Sequence, residues 1–163
     1  MILEINQDLN TLNISLSDLE KKVSKKTKAL MLVHALGNCT DMTKLTNICK
    51  KNNIILIEDT CEALGSTYRN KPLGTFGEFS SFSFYYSHHI TSGEGGMVCV
   101  KDSKYFEIIK SLRSHGWSRD IEIDKKIKKK FKNLDDRFLF INSGYNLRPT
   151  DIQAAIAENQ LKR

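Results

Sequence analysis

The sequence predicts an α/β protein with a mainly parallel sheet flanked by helices. Two short, nearly continuous apolar runs, "ALMLVHAL" at 29–36 and "IILIED" at 54–59, have the length and composition of strands buried on both faces. Between them Asp41 can cap a helix whose apolar face carries Leu45 and Ile48 and which ends at Asn52 and Asn53. Two more strand-like runs, "SSFSFYY" at 80–86 and "GMVCV" at 96–100, precede another helical segment. Strands alternating with helices are the pattern of βαβ units with right-handed crossovers, so 29–36 and 54–59 should be neighbours.

The remaining elements follow in order. Ser17 and Glu20 have capping-box spacing and introduce a short basic helix with Leu19 and Val23. A helix from about Ser103 to Ser114 places Phe106, Ile109 and Leu112 at helical spacing. From about Pro149, Thr150 and Gln153 repeat the capping-box spacing, with Ile152, Ala155 and Ile156 along one side. No internal repeat or low-complexity linker divides the chain.

At 163 residues and 40% hydrophobic content the chain can bury a sizeable core. No apolar run approaches the ~20 residues of a membrane span. The N-terminus lacks a signal-peptide pattern, so a cytoplasmic protein that does not engage membranes is expected. Cys39, Cys49, Cys61 and Cys99 are scattered without CxxC spacing and read as reduced thiols, with no metal site. The largest local source of the net charge of +6 is "KKIKKKFK" at 125–132. With only Phe131 available for stacking, that run reads as a solvated face rather than a nucleic-acid surface.

Ligands of such sheets sit beyond the carboxyl ends of the strands. There the sequence reads "IEDTCEALGS" at 57–66, with Glu58 and Asp59 ending an apolar run and Glu62 three residues on. A carboxylate in that position requires a cation, such as a protonated ring nitrogen, or it caps the following helix. Downstream, "FSFYYSHHITSGEGG" at 82–96 holds two adjacent histidines and no lysine. A histidine moves protons near neutral pH, since its unperturbed pKa is ~6.5.

In order, "EDTCEALGS", "GTFGEFSSFSF", "GEGGMV" and "SGYNLRPTDIQAA" closely resemble the sugar aminotransferase family of pyridoxal-phosphate enzymes, the DegT/DnrJ/EryC1/StrS group, over nearly the whole chain. The resemblance implies a fold-type I aminotransferase-like large domain, incomplete in this chain. It also implies that Asp59 pairs with the cofactor's pyridinium nitrogen, that Ser83 holds its phosphate, and that Glu62 lies near its ring oxygen, where most members carry glutamine. Asn146 of the "GYN" motif would reach a cofactor phosphate across the interface of a homodimer. In family aminotransferases the serine is followed five residues later by the lysine that binds the cofactor covalently. Counting from Ser83, that position is His88.

A histidine there resembles the sugar 3-dehydratase branch, which works with pyridoxamine 5'-phosphate, recharged from pyridoxal 5'-phosphate. His88 would be the catalytic base. His89, adjacent to it on an extended segment, should face the other way and pack. One dehydratase type carries an iron–sulfur cluster on clustered cysteines, and no cysteine follows Cys99. The other type acts on GDP-4-keto-6-deoxy-D-mannose, uses L-glutamate as amine donor and serves dideoxysugar and O-antigen synthesis. The chain looks like the second. Arg119 and Arg148 are candidates for the nucleotide diphosphate, against plain surface or interface roles, and His115 for the sugar. Trp117 reads as packing. Family chains are considerably longer, so residues 1–163 are expected to be the central part of the cofactor-binding large domain, with the N-terminal phosphate-loop segment and the C-terminal small domain outside them. Three alternatives stay open: a sugar-nucleotide aminotransferase-like protein, a catalytically inactive fragment, and a basic binding module.

Overall fold

A computed structural model describes residues 2–119, 121–122 and 125–162. In chain order the elements are α1 (Leu16–Lys22), β1 (Ala29–Val33), α2 (Met42–Lys51), β2 (Ile55–Asp59), β3 (Thr67–Tyr68), β4 (Lys71–Pro72), β5 (Phe79–Ser83), β6 (Gly96–Val100), α3 (Ser103–Leu112), α4 (Lys125–Lys130) and α5 (Asp151–Leu161). The chain forms two compact units: Met1–Cys99 with Asp151–Arg163, and Val100–Thr150. Among the described residues no helix is long and apolar enough to cross a membrane.

The first unit is built on a sheet of order β1-β2-β5-β6. β1 and β2 are parallel neighbours, Ala29 opposite Ile55 through Val33 opposite Asp59, and β2 and β5 are parallel with Asp59 opposite Ser81. α2 is the crossover. Asp41 caps it by accepting the Lys44 N–H at 3.0 Å and also takes the Tyr68 hydroxyl at 2.8 Å, and these bonds hold the Asp41 carboxyl below its usual pKa. Its inner face buries Met42, Leu45 and Ile48 against Leu30, Leu32 and Leu56 of the sheet, with Leu19, Ala63 and Leu73 around them. Each such apolar side chain contributes about 1.5–3 kcal/mol on burial.

Several sequence expectations are corrected. β1 and β2 are buried on one face only: Leu30, Leu32 and Leu56 point inward, while Met31 and Val33 are 55% and 52% exposed. β1 stops at Val33, because Ala35–Gly37 closes a 3₁₀ turn in which Leu36 takes φ 54°. β5 ends at Ser83, not Tyr86, because the Phe84 N–H and C=O close the loop that follows. Ser15, not Ser17, caps α1: its hydroxyl accepts the Asp18 N–H, and the Ser17 hydroxyl bonds Ser15 instead. α3 ends at Leu112, two residues early. On α5, Ile152 and Ile156 are exposed, and the more covered positions are Gln153, Ala157 and Gln160.

In the second unit α3 runs into a segment bridged to a later one, Ser114 opposite Asn146 and Trp117 opposite Phe140. Gly116 makes the crossing possible. Its φ is +88°, and a Cβ there would run into the Asn142 backbone. Most of the lysine-rich run is helix α4, and the described residues of the run are exposed or half-buried.

Candidate active site

Two adjacent acids end β2, and alternation sends them to opposite faces. Glu58 is fully buried beside the core. Its carboxylate meets His34 Nε2 at 2.9 Å and accepts the N–H groups of Gly74 (2.9 Å), Phe76 (2.8 Å) and Gly77 (2.6 Å). Burial alone would raise its pKa, but His34 and the N–H groups of Gly77 and Gly74 outweigh it, and the pKa is lowered from 4.5. Glu58 is therefore fully engaged in structure and has little capacity left for a ligand.

Asp59 is half-buried on the other face. Its Oδ1 accepts the Cys61 N–H at 3.1 Å. No helix follows, so the helix-capping alternative gives way to a turn cap. Burial pushes the Cys61 thiol up to about 11, and the facing Asp59 carboxylate adds to the rise. The thiol stays neutral, and Asp59 is the acidic group on this face of the strand end. Ser81 lies opposite Asp59 in register, and Ser83, two residues on, shares its face. Ser83 and Asp59 thus stand at the carboxyl ends of neighbouring parallel strands. The Ser83 Oγ takes the Tyr85 N–H at 3.2 Å. Glu62 is exposed, and its Oε2 takes the Leu36 N–H at 2.8 Å, holding the positive-φ turn beyond β1.

His88 lies in the loop leaving the same end of β5. The loop is closed at its base by Phe84 N–H to Gly95 O (2.8 Å) and Ser92 N–H to Phe84 O (2.9 Å). His88 N–H bonds Tyr85 O at 3.1 Å, so the histidine pair sits on a turn, not on the extended segment the sequence implied. His88 is half-buried with its ring 6.3 Å from that of Tyr85, and His89 is exposed.

The second unit gathers three of the other candidates around Trp117. The Arg119 and Arg148 guanidinium carbons lie 4.4 and 5.1 Å from its ring centroid, and the His115 ring is 5.5 Å away. His115 itself has φ 60°, an uncommon conformation for a side-chain-bearing residue. Neither guanidinium has a carboxylate partner among the described residues. Two guanidinium forks on one indole suit a group with two negative charges. Asn146 is exposed, with its backbone bridged to Ser114.

Sequence reasoning read Cys61 as a reduced thiol but missed its place beside Asp59, the Glu58–His34 pair and the shared Trp117 platform. Only the last left a local signal, an indole within two residues of both His115 and Arg119.

The chain is 38% identical over 161 residues to GDP-4-keto-6-deoxy-D-mannose 3-dehydratase of Escherichia coli, covering 98% of this chain and 42% of that protein. It is 36% identical over 159 residues to an Escherichia coli GDP-perosamine synthase, covering 98% of this chain and 40% of the synthase. A solved Escherichia coli 3-dehydratase with bound hydrated PLP superposes with a TM-score of 0.84 at 36% identity, over 97% of this chain and 41% of that one. The chain thus spans about two fifths of the length of these relatives. The family profile runs from residue 3 to residue 163, and this chain belongs to the DegT/DnrJ/EryC1/StrS aminotransferase family.

Proposed function

We propose that the polypeptide carrying this segment is a PLP-dependent 3-dehydratase of a nucleotide-linked 4-keto-6-deoxy sugar, GDP-4-keto-6-deoxy-D-mannose, with L-glutamate as amine donor. The observation that carries the reading is His88: an imidazole stands where the family's aminotransferases carry lysine, in the loop leaving the strand end that Asp59 and Ser83 share.

The residues present fit the cofactor. Asp59 has a carboxylate directed to the open face of the sheet, beside a neutral thiol, and would pair with the pyridinium nitrogen. Ser83 would donate its hydroxyl to the phosphate, Glu62 would border the ring oxygen, and Asn146 would serve the partner subunit's phosphate site in a homodimer. When bound, pyridoxamine phosphate supplies the amine that condenses with the sugar ketone and a ring that draws electrons from it. His88 would be the base that takes a proton at the bound cofactor, and in its protonated form it would return that proton to the sugar's departing C3 hydroxyl. Arg119 and Arg148 bind the diphosphate, and His115 borders the hexose. In this reading residues 1–163 form the central part of the cofactor-binding large domain of a cytoplasmic enzyme of dideoxysugar synthesis.

The GDP-perosamine synthase likeness favours a second reading, amine transfer to the sugar, which needs an amine that His88 lacks. Two substitutions separate them. His88→Asn should lower dehydration about 10²–10⁴-fold with cofactor binding retained through Asp59 and Ser83. His88→Lys should suppress dehydration and release aminated sugar. Ammonia and sugar products are measured with pyridoxal phosphate, L-glutamate and GDP-4-keto-6-deoxy-D-mannose. Near-full dehydration by His88→Asn would remove His88 as the base.

A further inference from the structure

The loop from Phe84 to Gly95 is tied to a helix far along the chain. Thr91 N–H donates to Gln160 Oε1 at 2.9 Å, and Gln153 Nε2 donates to the Glu94 carbonyl at 2.8 Å. Gln153 and Gln160 lie on one face of α5, the face that is more covered. Their two anchors bracket Gly93, whose φ is +82°. Glycine is the most permissive point of a backbone, and Gly93 and Gly95 lie in this loop, four and six residues beyond His89. The internal bonds of the loop, including Thr91 Oγ1 to Phe84 O at 3.2 Å, secure its base. In the other half the backbone bond is His88 N–H to Tyr85 O. A catalytic side chain on such a loop must still be held to a fraction of an ångström.

We propose that α5 is a clamp on the His88 loop, with Gln153 and Gln160 as positioning residues for that histidine. The functional part rests on His88 being the proton-transfer group. The two amides work in opposite senses. Gln160 must accept from an N–H, and Gln153 must donate to a carbonyl. A carboxylate can replace the first and not the second.

Amide hydrogen exchange and the His88 ring Cε1–H resonance, followed by NMR in the 163-residue chain, test this directly. Gln160→Ala should speed Thr91 exchange about 3- to 10-fold, the loss of one net hydrogen bond. It should also shift or broaden the His88 resonance while those of His34 and His115 stay in place, showing an intact fold. Gln160→Glu should restore both signals to the parent values. Gln153→Glu, with the same change of charge, should not: its carboxylate would oppose the Glu94 carbonyl and leave the loop loosened. In the enzyme, Gln160→Ala should lower kcat with cofactor affinity unchanged. Unchanged Thr91 exchange in Gln160→Ala, or equal behaviour of the two Gln→Glu variants, overturns the clamp. If the loop loosens as described but His88→Asn keeps full dehydration, the clamp stands and the catalytic assignment falls.

Discussion

Glu58 and Asp59 are chemically alike and adjacent, yet strand alternation gives one to the core and the other to the site. The substitutions Glu58→Gln and Asp59→Asn should therefore separate stability from binding. Glu58→Gln puts an NH₂ among three N–H donors and should cost about 3–5 kcal/mol in urea unfolding, the range for breaking a buried ionic network. Asp59→Asn keeps an acceptor for the Cys61 N–H. It should change stability by less than about 0.5 kcal/mol while abolishing retention of pyridoxal phosphate in dialysis. The pH dependence follows from the lowered Glu58 pKa. The stabilisation from its ionised form is complete above the ordinary glutamate range and is lost as pH falls through the lower folded value. Urea midpoints should thus decline below about pH 4.5 in the parent and be flatter in Glu58→Gln. The sequence pointed to the strand-end acids because charge after an apolar run is conspicuous. It could not assign Glu58 its partner, since His34 lies inside a run that reads as plain strand and the two meet only when β1 and β2 pair.

Among the elements, the turn at 74–77 is as constrained as any strand. Gly74 has φ +84°, and a Cβ would lie 2.9 Å from the Phe82 ring and 3.0 Å from the Thr60 hydroxyl. Gly74→Ala should cost about 1–3 kcal/mol from the backbone alone, read by thermal unfolding with the Thr75→Ala variant as control. In the second unit, the guanidiniums close to the Trp117 ring make arginine hard to replace by lysine. Arg119→Lys and Arg148→Lys should each weaken GDP binding roughly tenfold by calorimetry, about 1.4 kcal/mol. Helix and strand types were legible from periodicity, and the parallel pairing of β1 with β2 from the βαβ pattern. Inward faces were less so. On α5 the apolar Ile152 and Ile156 drew the prediction, but Gln153 and Gln160 face the loop because its backbone needs one donor and one acceptor. Hydropathy does not encode that requirement.

For the molecule, the uncovered sheet face matters most. Met31, Val33 and Ile55 are 55%, 52% and 41% exposed on strands whose sequence carries apolar residues on both sides. The apolar composition of both runs implied strands covered on two sides, but in each the structure buries one face. Apolar surface of that kind drives association. The 163-residue chain should self-associate with rising concentration in light scattering. Val33→Lys should reduce that association while leaving the urea midpoint near the parent value.

The Glu58 hub also bears on how long the folded state lasts. Its bonds to His34 and to the 74–77 turn need fixed distances and angles, whereas Leu45 packs by non-directional apolar contact. Apolar contacts tend to form in a diffuse nucleus before the rate-limiting barrier, and directional polar geometry is completed after it. Interactions completed late act on the escape rate and little on the approach. Glu58→Gln should accordingly leave the refolding arm of a chevron plot almost unmoved and raise the unfolding arm, and Leu45→Ala should slow refolding. A carboxylate that never touches the substrate would then set the working lifetime of the sheet on which the chemistry is mounted.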